Sequence, residues 1–118
     1  MIAVGEHVLG QVPEVVIRAS NLFAGGVGRS REEMCGVISG AAILVGVMRG
    51  RVLPTEDDEA VLDWMARFRE RFIAYAGSTK CSTIRDPLPD VDKRCKRIIL
   101  DGVRMLVEML EEETQDHE

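Results

Sequence analysis

The sequence is poor in aromatic residues, and it lacks the long apolar run of a membrane protein. Only three Phe, one Trp and one Tyr occur among 118 residues, so aliphatic side chains and methionine must build the core. The uncharged run at residues 34–48 has 15 residues, whereas a membrane-spanning helix needs about 20. The first residues do not read as a signal peptide. We therefore expect a cytoplasmic protein without a membrane partner, in which cysteines are reduced thiols or metal ligands.

Motifs for binding nucleotides, haem and nucleic acids are also missing. The stretch GGVGRS at residues 25–30 has Arg29 where a P-loop requires Lys, and Arg31 stands at the third glycine of a GxGxxG motif. No CxxCH sequence is present. The net charge of −5 does not attract nucleic acid to the domain as a whole. We therefore expect no nucleotide, no haem and no nucleic acid.

What the chain does contain is helical periodicity, with no segment that alternates like a strand. The predicted helices lie at about residues 1–9, 13–23, 31–48, 55–76 and 91–112. Their expected N-caps include Thr55, Asp90 and a capping box of Ser30 with Glu33. These patterns predict an all-α fold, a compact bundle of about four to five helices. We expect a single domain over residues 1–118, whose acidic end at 108–118 frays.

Glycines are unusually frequent around the third predicted helix. Two GxxxG spacings occur, at residues 36–40 and 46–50. Each interior glycine costs a helix about 1 kcal/mol relative to alanine. The simplest compensation is close approach of a neighbouring helix, within the chain or across a homodimer.

The chain has three cysteines, and their spacing alone does not define a site. Cys35 lies near the start of the third predicted helix, Cys81 follows Lys80 in a connector, and Cys95 stands in KRCKR. Each setting favours the thiolate, which is the nucleophile and the metal ligand. However, no CxxC pair is present, and free cysteine is a common core residue. Both interpretations, a functional thiol site and core packing, stay open on the residues alone.

The glycine-rich segment and the cysteines resemble the C_GCAxxG_C_C family of putative redox-active proteins. The resemblance is most specific over residues 19–50, where FAGGVGR is followed by CGVISGA and then by Gly46. Cys81 and Cys95 match the two later family cysteines, one in a connector and one in the last helix. The family's N-terminal cysteine, on a helix before the glycine loop, is absent from this chain.

The resemblance implies an all-α domain whose cysteines converge on a redox or metal centre. It implies that Cys35, Cys81 and Cys95 act as redox residues or as metal ligands. The loop and helix-start glycines beside Cys35 would then contact the cofactor; they are Gly25, Gly26, Gly28 and Gly36. The implied cofactor is an iron–sulfur cluster or a single transition metal, and the metal-free form of the site is a reversible Cys81–Cys95 disulfide. A redox partner of unknown identity is also implied. The alternative is a non-catalytic helical domain, as a homodimer, with the cysteines as core residues or relics.

Overall fold

Six helices make up the regular structure of the described chain. The computed structural model describes residues 2–89 and 95–116, with side chains of the second range up to residue 112. The helices are α1 (Ile2–Leu9), α2 (Glu14–Asn21), α3 (Gly36–Arg49), α4 (Glu59–Ala76), α5 (Cys81–Arg85) and α6 (Lys96–Asp116). The only β pairing in these ranges is an isolated antiparallel bridge between Met34 and Lys80. The predicted all-α fold is confirmed, and the short α5 is the helix that the periodicity did not define.

Helices α3, α4 and α6 pack against one another, and α2 packs against α3. The largest fully buried side chains are Leu44 and Val45 of α3 and Phe68 and Phe72 of α4. The Trp64 ring stacks on Phe68 with a centroid distance of 6.0 Å. One aromatic face of α4 therefore meets an aliphatic face of α3. Within the described ranges, no helix is long and apolar enough to cross a membrane.

Two helices begin later than the sequence predicts. The capping box is wrong, because the Ser30 hydroxyl donates a hydrogen bond back to the Gly26 carbonyl at 2.6 Å. Helix α3 instead begins at Gly36 with Cys35 as its N-cap. Helix α4 has Asp58 rather than Thr55 as its N-cap. The predicted cap Asp90 lies outside the described residues.

Two of the glycines of α3, Gly36 and Gly46, do not provide the predicted close contact within the chain. No neighbouring atom lies within 4 Å of a β-carbon built on Gly36 or Gly46. The close approach occurs at Gly102 of α6, where a β-carbon would lie 2.5 Å from Cγ1 of Val37. Because alanine cannot fit there without a shift, Gly102 lets α6 pack closely on the first turn of α3. The homodimer stays a prediction.

Candidate functional site

The three cysteines line one cavity between the glycine-rich loop, α3, α5 and the start of α6. The cavity has a volume of about 360 Å³. Cys81 is buried with 7% of its surface exposed, while Cys35 and Cys95 are partly buried. All three are free cysteines. Cys81 and Cys95, which follow Cys35 in the sequence by 46 and 60 residues, thus line the same cavity as Cys35.

Each cysteine stands at the start of a helix. Cys35 is the N-cap of α3, and its carbonyl accepts a hydrogen bond from the Ser39 amide at 3.3 Å. The Cys95 carbonyl accepts the corresponding bond from the Ile99 amide at 2.8 Å, at the start of α6. Cys81 is the first residue of α5. The positive ends of two long helices, of 14 and 21 residues, therefore lie beside cavity thiols.

Backbone pairing explains why Cys35 and Cys81 come together. The Cys35 amide donates to the Thr79 carbonyl at 2.6 Å, and the Cys81 amide donates to the Glu33 carbonyl at 2.8 Å. These bonds flank the bridge between residues 34 and 80. Because successive side chains alternate between faces, Cys35 and Cys81 occupy the same face of this short ladder. They are diagonal neighbours, a relation that places Cα atoms about 7–8 Å apart.

The glycine-rich loop supports Cys81 from the other side. Gly25, Gly26 and Gly28 all have left-handed φ values, of 63°, 66° and 60°. A β-carbon on Gly26 would lie 2.6 Å from Cβ of Cys81, so the loop backbone packs directly on that cysteine. Gly25 and Gly36 line the cavity, whereas a β-carbon on Gly28 would meet open space. Two of the four predicted cofactor-binding glycines thus border the cavity, and a third supports its wall.

The electrostatics of Cys35 differ from the sequence expectation. Burial raises the pKa of its thiol, an effect that the Val37 backbone amide partly opposes and that Cys81 and Cys95 reinforce. The prediction that its helix position favours the thiolate is therefore wrong for Cys35, because desolvation outweighs the helix terminus. The mutual effect of the three sulfurs on this pKa is a second sign that they lie near one another.

The donor groups do not fit a single metal ion as they stand. Within residues 2–89 and 95–112, no three His, Cys, Asp or Glu side chains are grouped closely enough to hold one. A single ion needs its sulfur ligands at about 2.3 Å from one point. The thiols surround a cavity instead of converging on such a point.

Comparison with known proteins agrees with the arrangement of glycines and cysteines. The family model described as "Putative redox-active protein (C_GCAxxG_C_C)" matches residues 1–109. The chain belongs to this family. No curated protein and no solved structure matches it. Membership of the C_GCAxxG_C_C family indicates redox activity as the general function, as the description of the family states.

One charged residue of the cavity was not among the site residues that the sequence predicted. Arg31 lines the cavity, and a β-carbon on Gly25 would collide with Nη1 of its guanidinium. Among the described residues that line the cavity, Arg31 alone carries a charge. The predicted helix over residues 31–48 concealed this role, because it placed Arg31 in a regular first turn. Its observed φ of 64° instead puts it in the loop.

Proposed function

We propose that the cavity is a thiol–disulfide redox centre in which Cys35 and Cys81 form a reversible disulfide. The observation that supports it most is that all three cysteines line one cavity. The diagonal pairing of Cys35 and Cys81 gives a Cα separation of about 7–8 Å, close to the upper limit of about 7 Å for a disulfide. A small shift of the bridge would bring them into range. This pair replaces the Cys81–Cys95 disulfide expected from the sequence.

The chemistry is thiol–disulfide exchange with a small external disulfide. One cysteine thiolate attacks a substrate sulfur, and a mixed disulfide forms as the first thiol leaves. The second cysteine then attacks the protein sulfur of that mixed disulfide and releases the other thiol. Two protein thiols are oxidised and one substrate disulfide is reduced to two thiols. A cytoplasmic location, as the sequence predicts, would return the pair to its reduced state.

Oxidation of the reduced protein by hydroxyethyl disulfide tests this proposal. We expect an intramolecular disulfide that links Cys35 to Cys81 in peptide maps, with Cys95 still open to alkylation. Cys95→Ala should form the same bond and serves as the matched control. Cys35→Ala should stop at a mixed disulfide on Cys81, because its partner is missing. Three thiols that remain free, or only intermolecular bonds, would contradict the proposal.

An iron–sulfur cluster is the second candidate, and a specific observation favours it over a single ion. Three thiols placed around a volume of about 360 Å³ suit an object with several metal atoms better than one centre, since cysteine thiolates are the usual cluster ligands. Cys35, Cys81 and Cys95 would hold it, and it would supply one-electron transfer. Anaerobic purification with iron and sulfide analysis tests this candidate. A colourless protein without iron after cluster reconstitution would exclude it.

A further inference from the structure

Arg31 is a partly buried cation in the cavity wall that no carboxylate of the described chain neutralises. Six other arginines do form ion pairs with acidic side chains: Arg18, Arg51, Arg69, Arg71, Arg85 and Arg97. The guanidinium of Arg31 lies against the backbone of Gly25, and Arg31 and Gly25 both line the cavity. A cation held out of bulk water without a partner attracts an anion more strongly than an exposed one does.

The rest of the cavity wall strengthens this attraction. Apart from the thiols and glycines, its lining is apolar: Ala24, Val37, Ala41, Ile99, Val103 and Leu106. Low polarity around a charge reduces screening. The N-termini of α3 and α6 begin at the same cavity, with Cys35 and Cys95 as their first carbonyl acceptors, and their dipoles also favour negative charge. The described lining contains no acidic residue.

Arg31 is also adjacent to Cys81. The Ser82 amide donates to the Arg31 carbonyl at 2.9 Å. A β-carbon on Gly26 would touch both Cβ of Cys81, at 2.6 Å, and Cα of Arg31, at 3.1 Å. A carboxylate bound by the guanidinium would therefore place the remainder of a short molecule beside the Cys81 thiol. The cavity of about 360 Å³ equals the volume of about twelve water molecules, which is enough space for a molecule of the size of an amino-acid disulfide.

We propose that the substrate of the redox centre is a small disulfide that carries a carboxylate, and that Arg31 binds this carboxylate while Cys81 attacks. This inference rests on the proposed thiol–disulfide function. The Cys81 thiolate displaces one carboxylate-bearing thiol from the substrate disulfide, and that thiol takes up the proton that Cys81 has lost. The Cys35 thiolate then attacks Sγ of Cys81 and releases the second thiol, which takes up the Cys35 proton. Two electrons pass from the cysteine pair to the substrate.

Three small disulfides of different charge test the inference: dithiodiglycolate (anionic), hydroxyethyl disulfide (neutral) and cystamine (cationic). The rate of Cys35–Cys81 disulfide formation is measured by quenching and mass spectrometry, and each rate is divided by that with free dithiothreitol. We expect the corrected rates to fall from the anionic to the neutral to the cationic reagent. Arg31→Gln should lower the dithiodiglycolate rate about tenfold, as for loss of one charge-assisted bond, and leave the hydroxyethyl disulfide rate unchanged.

Arg29 provides the matched control. It has the same charge, lies in the same loop and has a similar left-handed φ of 60°, but it does not line the cavity. Arg29→Gln should leave the order of the three reagents intact. A measurement on the unaltered protein covers the case that Arg31→Gln fails to fold. Succinate, which carries carboxylates but no sulfur, should slow the reaction with dithiodiglycolate, and its uncharged analogue succinamide should not.

The outcomes separate this inference from the proposed function. If no reagent produces an intramolecular disulfide, the redox centre itself is wrong. If hydroxyethyl disulfide oxidises the pair but the three corrected rates are equal, the anion preference is wrong and the redox pair stands. Equal effects of Arg31→Gln and Arg29→Gln, or no competition by succinate, would likewise overturn the role of Arg31.

Discussion

Replacement of Gly26 by alanine tests whether the glycine loop holds the cavity wall in place. The new methyl group would lie 2.6 Å from Cβ of Cys81 and 3.1 Å from Cα of Arg31. Neither contact can be relieved by rotation of a flexible side-chain end, because both involve atoms at or next to the backbone. The loop or α5 must therefore move, and Cys81 must become more accessible.

The expected loss of stability in Gly26→Ala has two parts, and the same substitution at a second glycine separates them. Gly26 has a φ of 66°, and a left-handed conformation costs a non-glycine residue about 1–2 kcal/mol. Displacement of packed atoms adds about 1–3 kcal/mol. Gly28 has a φ of 60° but no neighbour within 4 Å of a built β-carbon. Gly28→Ala should therefore show the conformational part alone, and Gly26→Ala should show both.

Thermal unfolding and thiol alkylation measure the two variants. For a domain of this size, about 1 kcal/mol corresponds to a shift of roughly 4 °C in Tm, so Gly26→Ala should melt roughly 4–12 °C below Gly28→Ala. In the native state, Cys81 should also react faster with iodoacetamide in Gly26→Ala than in Gly28→Ala. Equal Tm values and equal Cys81 alkylation rates would refute direct packing of the loop on Cys81.

Two further predictions concern the remainder of the fold. Gly102→Ala should destabilise the protein by about 1–3 kcal/mol, because its methyl group would lie 2.5 Å from Cγ1 of Val37. Gly46→Ala, on the open side of α3, should instead stabilise the protein by about 0.5–1 kcal/mol. Urea unfolding measures both variants. A change of the same sign in the free energy of unfolding for Gly102→Ala and Gly46→Ala would contradict the close contact between Gly102 and Val37. The pKa of Asp101 is lowered, and the hydrogen bond from the Tyr75 hydroxyl is the largest cause of this shift. The Asp101 carboxylate therefore favours folding above its unfolded pKa of about 4, and this contribution is lost as the pH falls through the lower folded pKa. The acid-induced decrease in Tm should be shallower in Asp101→Asn than in the wild type, and parallel curves would count against this coupling.

The helical character of the chain could be predicted because it depends on local patterns. The apolar faces of the fourth and last predicted helices repeat at the helical period, and these helices, α4 and α6, form the core together with α3. The starts of α3 and α4 could not be predicted by the same means. Ser30 and Glu33 have the spacing of a capping box, but the loop uses the Ser30 hydroxyl to bond the Gly26 carbonyl. A tertiary arrangement of the loop thus overrides a local helix signal.

The candidate site was only partly visible in the sequence. Cys35, Cys81 and Cys95 could be selected through the family resemblance, but their common cavity depends on long-range pairing. The bridge between residues 34 and 80 joins segments 46 residues apart, and neither segment has a strand-like pattern. Arg31 was not assigned to the cysteine site for a related reason. Its importance arises from a left-handed backbone and from its position beside Gly25, neither of which periodicity can reveal.

The glycine-rich loop adopts a left-handed backbone that costs free energy, and its position at the candidate site explains why this cost is tolerated. Val27, Arg29 and Arg31 have φ values of 66°, 60° and 64°, a conformation that costs about 1–2 kcal/mol for each non-glycine residue. Long-range backbone bonds offset part of this cost, among them the bond from the Ser82 amide to the Arg31 carbonyl at 2.9 Å. Such strain persists where the surrounding structure fixes it, and it is frequent at functional sites.

The raised pKa of Cys35 suggests a division of roles between the paired thiols. Attack on a disulfide requires a thiolate, and burial raises the pKa of Cys35, which lowers its thiolate fraction. Burial does not by itself choose the first attacker, because Cys81 is the more buried of the two side chains; the position of Arg31 beside Cys81 is what assigns the first attack to Cys81. The second attack takes place within the protein, where a partner held nearby has a very high effective concentration. Cys35 can therefore act second, on the sulfur of Cys81, even with a small thiolate fraction.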